Sequence, residues 1–161
     1  SDSRILISGP TGSGKELVAR KIHKNSARSK EPFVILNAAL LKENTYEKEL
    51  FGQEFKDGNV SFGALERANK GTLLIDEVSE IPFETQANVL RVLIDQKFKR
   101  LNGSKDISVN IRLISSTSNS RIISKFSEFQ VWPDLVLFKA SPLEVHPTLY
   151  TPSSSRGFLT I

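Results

Sequence analysis

The sequence predicts an α/β fold: a three-layer sandwich whose central parallel sheet is covered by helices on both faces. Three observations carry this. Short runs that are apolar nearly throughout, RILIS, FVIL, GTLLIDEV and NIRLISST, recur along the chain. Between them lie segments whose apolar residues return at helical spacing. Strands with so little polar alternation are those buried on both faces, as in parallel sheets joined by crossover helices.

Taken in order, Arg4–Ser8 (RILIS) reads as a buried strand because Gly9 and Pro10 end its apolar run. ELVARKIHKNSA then sets Leu17, Val18, Ala19 and Ile22 near one face, which predicts a helix. FVIL, after Pro32, is a second strand, and TYEKELFG predicts a short helix closing at Gly52. GTLLIDEV, residues 71–78, is a third strand. PFETQANVLRVLIDQ opens on Pro82, which suits a helix start, with Phe83, Ala87, Leu90 and Ile94 as its stripe. NIRLISST, residues 110–117, is a fourth strand. Beyond about Ser124 no periodic element is predicted. Residues 126–161 hold four of the seven prolines, the only Trp and five charged residues, and PSSSRG reads as loop.

A chain of 161 residues suffices for one core-bearing domain. With 39% hydrophobic and 25% charged residues it is expected to fold. No apolar run approaches the roughly 20 residues of a membrane span. The start, SDSRILISG, lacks an initiator Met and a signal-peptide pattern, so the chain is expected to be a piece of a longer polypeptide. The absence of cysteine excludes a disulfide framework and a thiolate metal site, and suits the cytoplasm. The net charge of +4 forms no block and points to no nucleic-acid site.

The chemistry concentrates in two places. GPTGSGKE comprises Gly9, Pro10, Thr11, Gly12, Ser13, Gly14, Lys15 and Glu16, between a strand and a helix. Its glycines permit backbone angles and close approaches that side chains forbid. Successive N–H groups at the helix's positive end can then cradle phosphates, with Lys15 reaching the β- and γ-phosphates. The bland alternative is a glycine-rich turn that happens to contain a lysine. The pattern departs from G-x-x-x-x-G-K-[ST] at its last position, where Glu16 replaces the hydroxyl.

About 60 residues on, GTLLIDEV puts Asp76 and Glu77 at a strand's C-terminal edge, where open α/β sheets bind ligands. Asp76 is expected to hold Mg²⁺ through water, and Glu77 to orient or deprotonate an attacking water. Alone, the same dipeptide also reads as the start of a helix.

The segments GPTGSGKE, PFVILNAAL, ELFGQE, GALERANKGTLLIDEVSEIPFETQANVLRVL and FKRLNGS together resemble the AAA+ domain of sigma-54-dependent transcription activators over about residues 4–124. The resemblance implies the large subdomain of a P-loop NTPase. It also accounts for Glu16, since that family characteristically carries Glu after the loop lysine. It implies ATP on Gly9–Glu16, a Walker B pair at Asp76 and Glu77, and a homo-oligomer in the full-length protein. Asn37 matches an asparagine that restrains the catalytic glutamate in the family; an ordinary turn-capping role is the other reading. A receiver domain before this module and a DNA-binding helix-turn-helix after it are implied for the whole protein, though neither is present in this sequence.

Three departures qualify the resemblance. FKDGNVSF, residues 55–62, stands where the family's GAFTGA loop touches sigma-54, a loss resembling NtrX-type response regulators and arguing against direct remodelling of sigma-54. Phe55 and Phe62 read as anchors of a shortened loop. Ser118 stands where many relatives have a γ-phosphate-sensing asparagine; Thr117 or Ser118 is a sensor, or the strand end is simply polar. The family's arginine-finger segment has no match beyond Phe126 and Asp134-Leu135, Arg121 sits too early, and Arg156 lies among loop residues. The expectation is therefore an AAA+ core over residues 1–125, a divergent or truncated tail over 126–161, and a missing or remade lid. Function is read as the ATP-binding core of an NtrX-like two-component regulator with weak or no hydrolysis. The alternatives are an active ATPase that remodels the sigma-54 RNA polymerase holoenzyme, and a fragment that cannot complete its fold.

Overall fold

The computed structural model describes residues 2–119, 121, 135–140, 148–150 and 159–160. Its strands are β1 (Arg4–Ser8), β2 (Phe33–Asn37), β3 (Gln53–Glu54), β4 (Val60–Ser61), β5 (Thr72–Asp76), β6 (Lys97–Phe98), β7 (Ile107–Ser108), β8 (Arg112–Thr117), β9 (Leu135–Lys139), β10 (Thr148–Tyr150) and β11 (Leu159–Thr160). The helices among the described residues are α1 (Lys15–Lys24), α2 (Tyr46–Phe51), α3 (Ala64–Arg67) and α4 (Phe83–Asp95), with 3₁₀ turns at Ala38–Leu40 and Val78–Glu80.

The main sheet runs β11-β10-β9-β1-β8-β5-β2. From β9 to β2 every neighbouring pair is parallel, and β10 and β11 add antiparallel strands at one edge. Because strand side chains alternate between faces, each central strand feeds two cores. Leu6, Leu36, Leu73, Ile75 and Leu113 pack on one face with Leu50 of α2, Leu65 of α3 and Val89 of α4. Ile5, Ile7, Leu74 and Ile114 pack on the other with Ala19 of α1. The parallel, doubly covered sheet is the architecture read from the uniformly apolar runs.

Helix orientation follows the expected stripes only in part. In α1, Ala19 is buried and Val18 and Ile22 pack against the same core, whereas Leu17 is 72% exposed and Lys15 and His23 are buried as well. In α4, Phe83 and Ile94 are exposed while Thr85, Gln86, Val89, Leu90 and Val92 are buried. The Gln86 amide nitrogen has partners inside: Nε2 donates to the carbonyls of Val78 (3.0 Å) and Ile81 (2.9 Å), while Oε1 is buried without one.

The segment 55–62 comprises the tip of the β3–β4 hairpin, residues 55–59, then β4 and Phe62. Phe55 and Phe62 do not anchor it in the core; they are 42% and 60% exposed. Arg100 pins the region instead, donating to Glu54 (3.1 Å) and Glu66 (2.6 Å) and stacking over the Phe62 ring. Those two carboxylates, Glu66 first, hold the Arg100 guanidinium more firmly protonated than usual.

Within 126–161, the described residues form β9, β10 and β11. β9 runs parallel to β1, pairing Arg4 with Leu135 through Ser8 with Lys139. Phe126, Asp134 and Arg156, and the expected loss of the lid, fall outside the described residues.

Candidate functional site

The loop leaving β1 is tied to β8 at its start, where Gly9 N–H donates to the Thr117 carbonyl (3.2 Å). A Cβ at Gly9 would lie 2.4 Å from the Ala140 carbonyl oxygen and 2.7 Å from Ser13 Oγ, so the chain end of β9 closes over the loop there. Gly12 and Gly14 have the opposite problem. Their φ angles of +80° and +82° lie where side chains are strained, but the space around them is open. The loop is thus shut at Gly9 and open at Gly12–Gly14.

Lys15 begins α1 and folds back into the loop, 7% exposed. Its Nζ donates to the carbonyls of Gly9 (3.0 Å) and Pro10 (3.2 Å). The Ser13 N–H also donates to the Pro10 carbonyl (3.1 Å). Thr11 is exposed. Glu16 accepts from Arg20 Nε at 2.8 Å along the exposed side of the helix.

Asp76 ends β5, and Glu77 turns the chain with φ +55° and ψ +54°, an uncommon conformation for a residue with a Cβ. Glu77 Oε1 lies 3.7 Å from Lys15 Nζ, so residues 62 positions apart meet in one cleft. Glu77 Oε2 accepts from both the main-chain N–H and the hydroxyl of Ser118, each at 3.0 Å. The Ser116 hydroxyl donates to Asp76 Oδ1. Ser116 in β8 and Ser118 just past its end each hold one of the two acids.

Asn37 stands beside Asp76 in the sheet. Its Oδ1 accepts from Ala39 N–H (3.1 Å), capping the 3₁₀ turn that follows β2. Thr117 Oγ1 donates to Ser79 Oγ (3.2 Å). The contacts of Ser116, Ser118 and Gln86 were not foreseen in the sequence. The period-two spacing of the serines, at the end of a run predicted to be a buried strand, is the signal that could have found the first two.

The cleft suits a phosphate group. Ser13 Oγ is buried with no partner. The first turn of α1 presents N–H groups that have no carbonyl four residues back, and the two open glycines leave room in front of them. A metal ion is a different matter. Among the described residues no three His, Cys, Asp or Glu side chains cluster to hold one. An ion beside Asp76 would therefore take most of its ligands from phosphate and water, as Mg²⁺ readily does.

A glycine-rich loop at a helix start, beside a strand ending in acid on an open parallel sheet, defines a P-loop α/β protein. Residues 1–137 match the family described as the sigma-54 interaction domain, and the chain belongs to that family. It is 52% identical over 118 residues to the nitrogen assimilation regulatory protein NtrX of Azorhizobium caulinodans, an alignment covering 73% of this chain and 26% of that protein. A crystal structure of NtrX from Brucella abortus superposes with a TM-score of 0.80 at 44% identity, over 88% of this chain and 34% of that one. A second structure of the same protein, in complex with ATP, gives a TM-score of 0.77 at 43% identity over 88% of this chain and 32% of that one. The chain spans about a quarter of the length of the curated relatives it matches. No helix among the described residues is long and apolar enough to cross a membrane.

Proposed function

We propose that this chain is the ATP-binding core of an NtrX-like response regulator that controls transcription. The observation that carries the reading is Lys15 Nζ, buried in the loop and 3.7 Å from Glu77, with Asp76 on the adjoining strand end. The phosphates lie on the main-chain N–H groups of Gly12–Glu16, and Lys15 exchanges the Gly9 and Pro10 carbonyls for phosphate oxygens. Mg²⁺, when bound near Asp76, neutralises phosphate charge. Glu77, with one oxygen anchored and the other facing Lys15, orients or deprotonates the attacking water. The ATP complex of the Brucella abortus relative supports the nucleotide assignment.

Hydrolysis in the isolated chain is slow on this reading. Its sequence offers no match to the family's arginine-finger segment, and such a finger contributes orders of magnitude in rate. Isothermal titration tests the site: Lys15→Ala is expected to lose ATP binding, and unchanged affinity would remove the loop from the function.

The family's description as a sigma-54 interaction domain favours a second reading, an ATPase that remodels the sigma-54 holoenzyme. The short hairpin at 55–62 speaks against it. A pull-down with sigma-54 decides: capture supports the second reading, and no capture supports the first.

A further inference from the structure

We propose that Gln86 is a positioning residue for Glu77, acting through the main chain of the turn that Glu77 opens. The proposal rests on the reading of Glu77 as the group that handles the attacking water.

Glu77 leaves β5 in a left-handed conformation, φ +55° and ψ +54°. A residue with a Cβ stays there only where its surroundings hold it. Two main-chain bonds close the turn that follows: Glu80 N–H donates to the Glu77 carbonyl (3.0 Å) and Ile81 N–H to the Val78 carbonyl (3.1 Å). Both are of the short-range 3₁₀ kind, whose geometry is poorer than that of an α-helix. Gln86, in the first turn of α4, adds a tie from outside. Its Nε2 donates to the carbonyls of Val78 (3.0 Å) and Ile81 (2.9 Å), so it grips the turn at its start and just past its end. Its own N–H donates to the Pro82 carbonyl (3.0 Å), and α4 packs onward through Val89, Leu90 and Val92. The turn behind Glu77 is thereby referred to a helix anchored in the core.

Gln86 is 7% exposed, and its Oε1 is buried with no partner. Leaving a buried acceptor unmet costs folding free energy, so the residue is accounted for by its nitrogen end and the two carbonyls that end holds. Removing those donors frees the main chain at Val78–Ile81 and lets the Glu77 carboxylate drift from its place 3.7 Å from Lys15 Nζ. A misplacement of about 1 Å costs about a hundredfold in rate, and a turn that loosens without unfolding should cost about tenfold. Nucleotide affinity should not change, because Gln86 touches neither the loop nor the acids' side chains and acts on turnover alone.

The test compares the parent chain with Gln86→Met, Gln86→Glu and Glu77→Gln, each below its melting midpoint. Mg·ATP affinity is measured by titration, turnover by phosphate release, and main-chain hydrogen exchange at Glu80 and Ile81. Gln86→Met keeps the length and deletes the donors. Gln86→Glu keeps the shape and makes the donor conditional: a neutral carboxyl group donates its O–H to one carbonyl, and an ionised one only repels both. Burial opposite two acceptors raises that carboxyl group above the ordinary carboxylate range. Relative to the parent at the same pH, turnover of Gln86→Glu should be about tenfold down at about pH 8 and should recover several-fold by about pH 6. The proposal further expects Gln86→Met to lose turnover about tenfold at unchanged affinity, with faster exchange at Glu80 and Ile81. Parental turnover in Gln86→Met overturns it. So does a Gln86→Glu ratio that is the same at both pH values, which decides the matter if Gln86→Met fails to fold. A matching loss of affinity would make Gln86 a general support of the fold and overturns it too. In those cases a Glu77→Gln variant that has lost turnover keeps the reading of Glu77 standing. A parent that binds ATP without turnover overturns both the proposal and that reading, and no binding in the parent removes the proposed function as well.

Discussion

Gly9→Ala probes the join between the loop and β9. The new Cβ would sit 2.4 Å from the Ala140 carbonyl oxygen and 2.7 Å from Ser13 Oγ. The serine can rotate; the carbonyl cannot, because Ala140 N–H is itself bonded to the Ser8 carbonyl at 2.6 Å, locking that end of β9 to β1. The backbone angle at Gly9 is not left-handed, so the penalty is steric alone. Overpacking of this kind costs about 1–3 kcal/mol, and an obstructing main-chain atom places it at about 2–3. For a chain of this size each kcal/mol shifts Tm by about 2–4 °C, giving a fall of about 4–12 °C in a calorimetric melt. Hydrogen exchange at the Ala140 N–H should quicken in the same variant. Gly12→Ala supplies the contrast: it costs about 1–2 kcal/mol through its positive φ and leaves Ala140 protection unchanged. A Gly9→Ala variant that melts with the parent and keeps Ala140 protected would refute the placement of β9 against the loop.

Other predictions concern charge. His23 is buried, with Nδ1 2.9 Å from Thr72 Oγ1, and burial pushes its imidazole below the ordinary value of 6.5. The unfolded chain therefore takes up a proton that the folded one resists. Stability present above about pH 6.5 is lost as pH falls through the folded value, with a slope of at most about 1.4 kcal/mol per pH unit from this group. Urea melts between about pH 7.5 and 5.5 should show a shallower loss in His23→Gln than in the parent, and equal slopes would clear His23 of the effect. Glu77→Gln should keep ATP affinity while turnover drops about a hundredfold or more; substantial surviving hydrolysis would reassign the role.

The sheet and the loop were legible because their signals are local. RILIS, FVIL, GTLLIDEV and NIRLISST each declare a buried strand within a few residues, and GPTGSGKE declares its own turn. What stayed hidden depends on partners far along the chain. β9 carries an apolar run of its own, residues 135–138, but it stands in a proline-rich stretch without a neighbouring motif, and its place in the sheet is set by pairing with β1, more than 100 residues earlier. The stripe of α4 was misplaced because hydropathy passes over Gln86, whose inward position is decided by the two carbonyls it satisfies. In α1, Leu17, Val18 and Ala19 are consecutive, so their spacing alone leaves the helix's rotation open. At the site, Lys15, Asp76 and Glu77 were found by motif. Of the serines that hold the acids, Ser118 was marked only as a candidate phosphate sensor and Ser116 not at all, because a hydroxyl at a strand end has meaning only beside the carboxylate it meets.

Nucleotide binding at the cleft between Lys15 and Asp76 is tested most directly by a thermal melt with and without Mg·ATP. At a hundred times the dissociation constant, a ligand specific to the native state adds about 2.7 kcal/mol, or about 5–11 °C at this chain length. The parent should show that rise, and Lys15→Ala at the same nucleotide concentration should show almost none. A parent whose midpoint ignores Mg·ATP, or a Lys15→Ala variant that rises equally, would contradict the account.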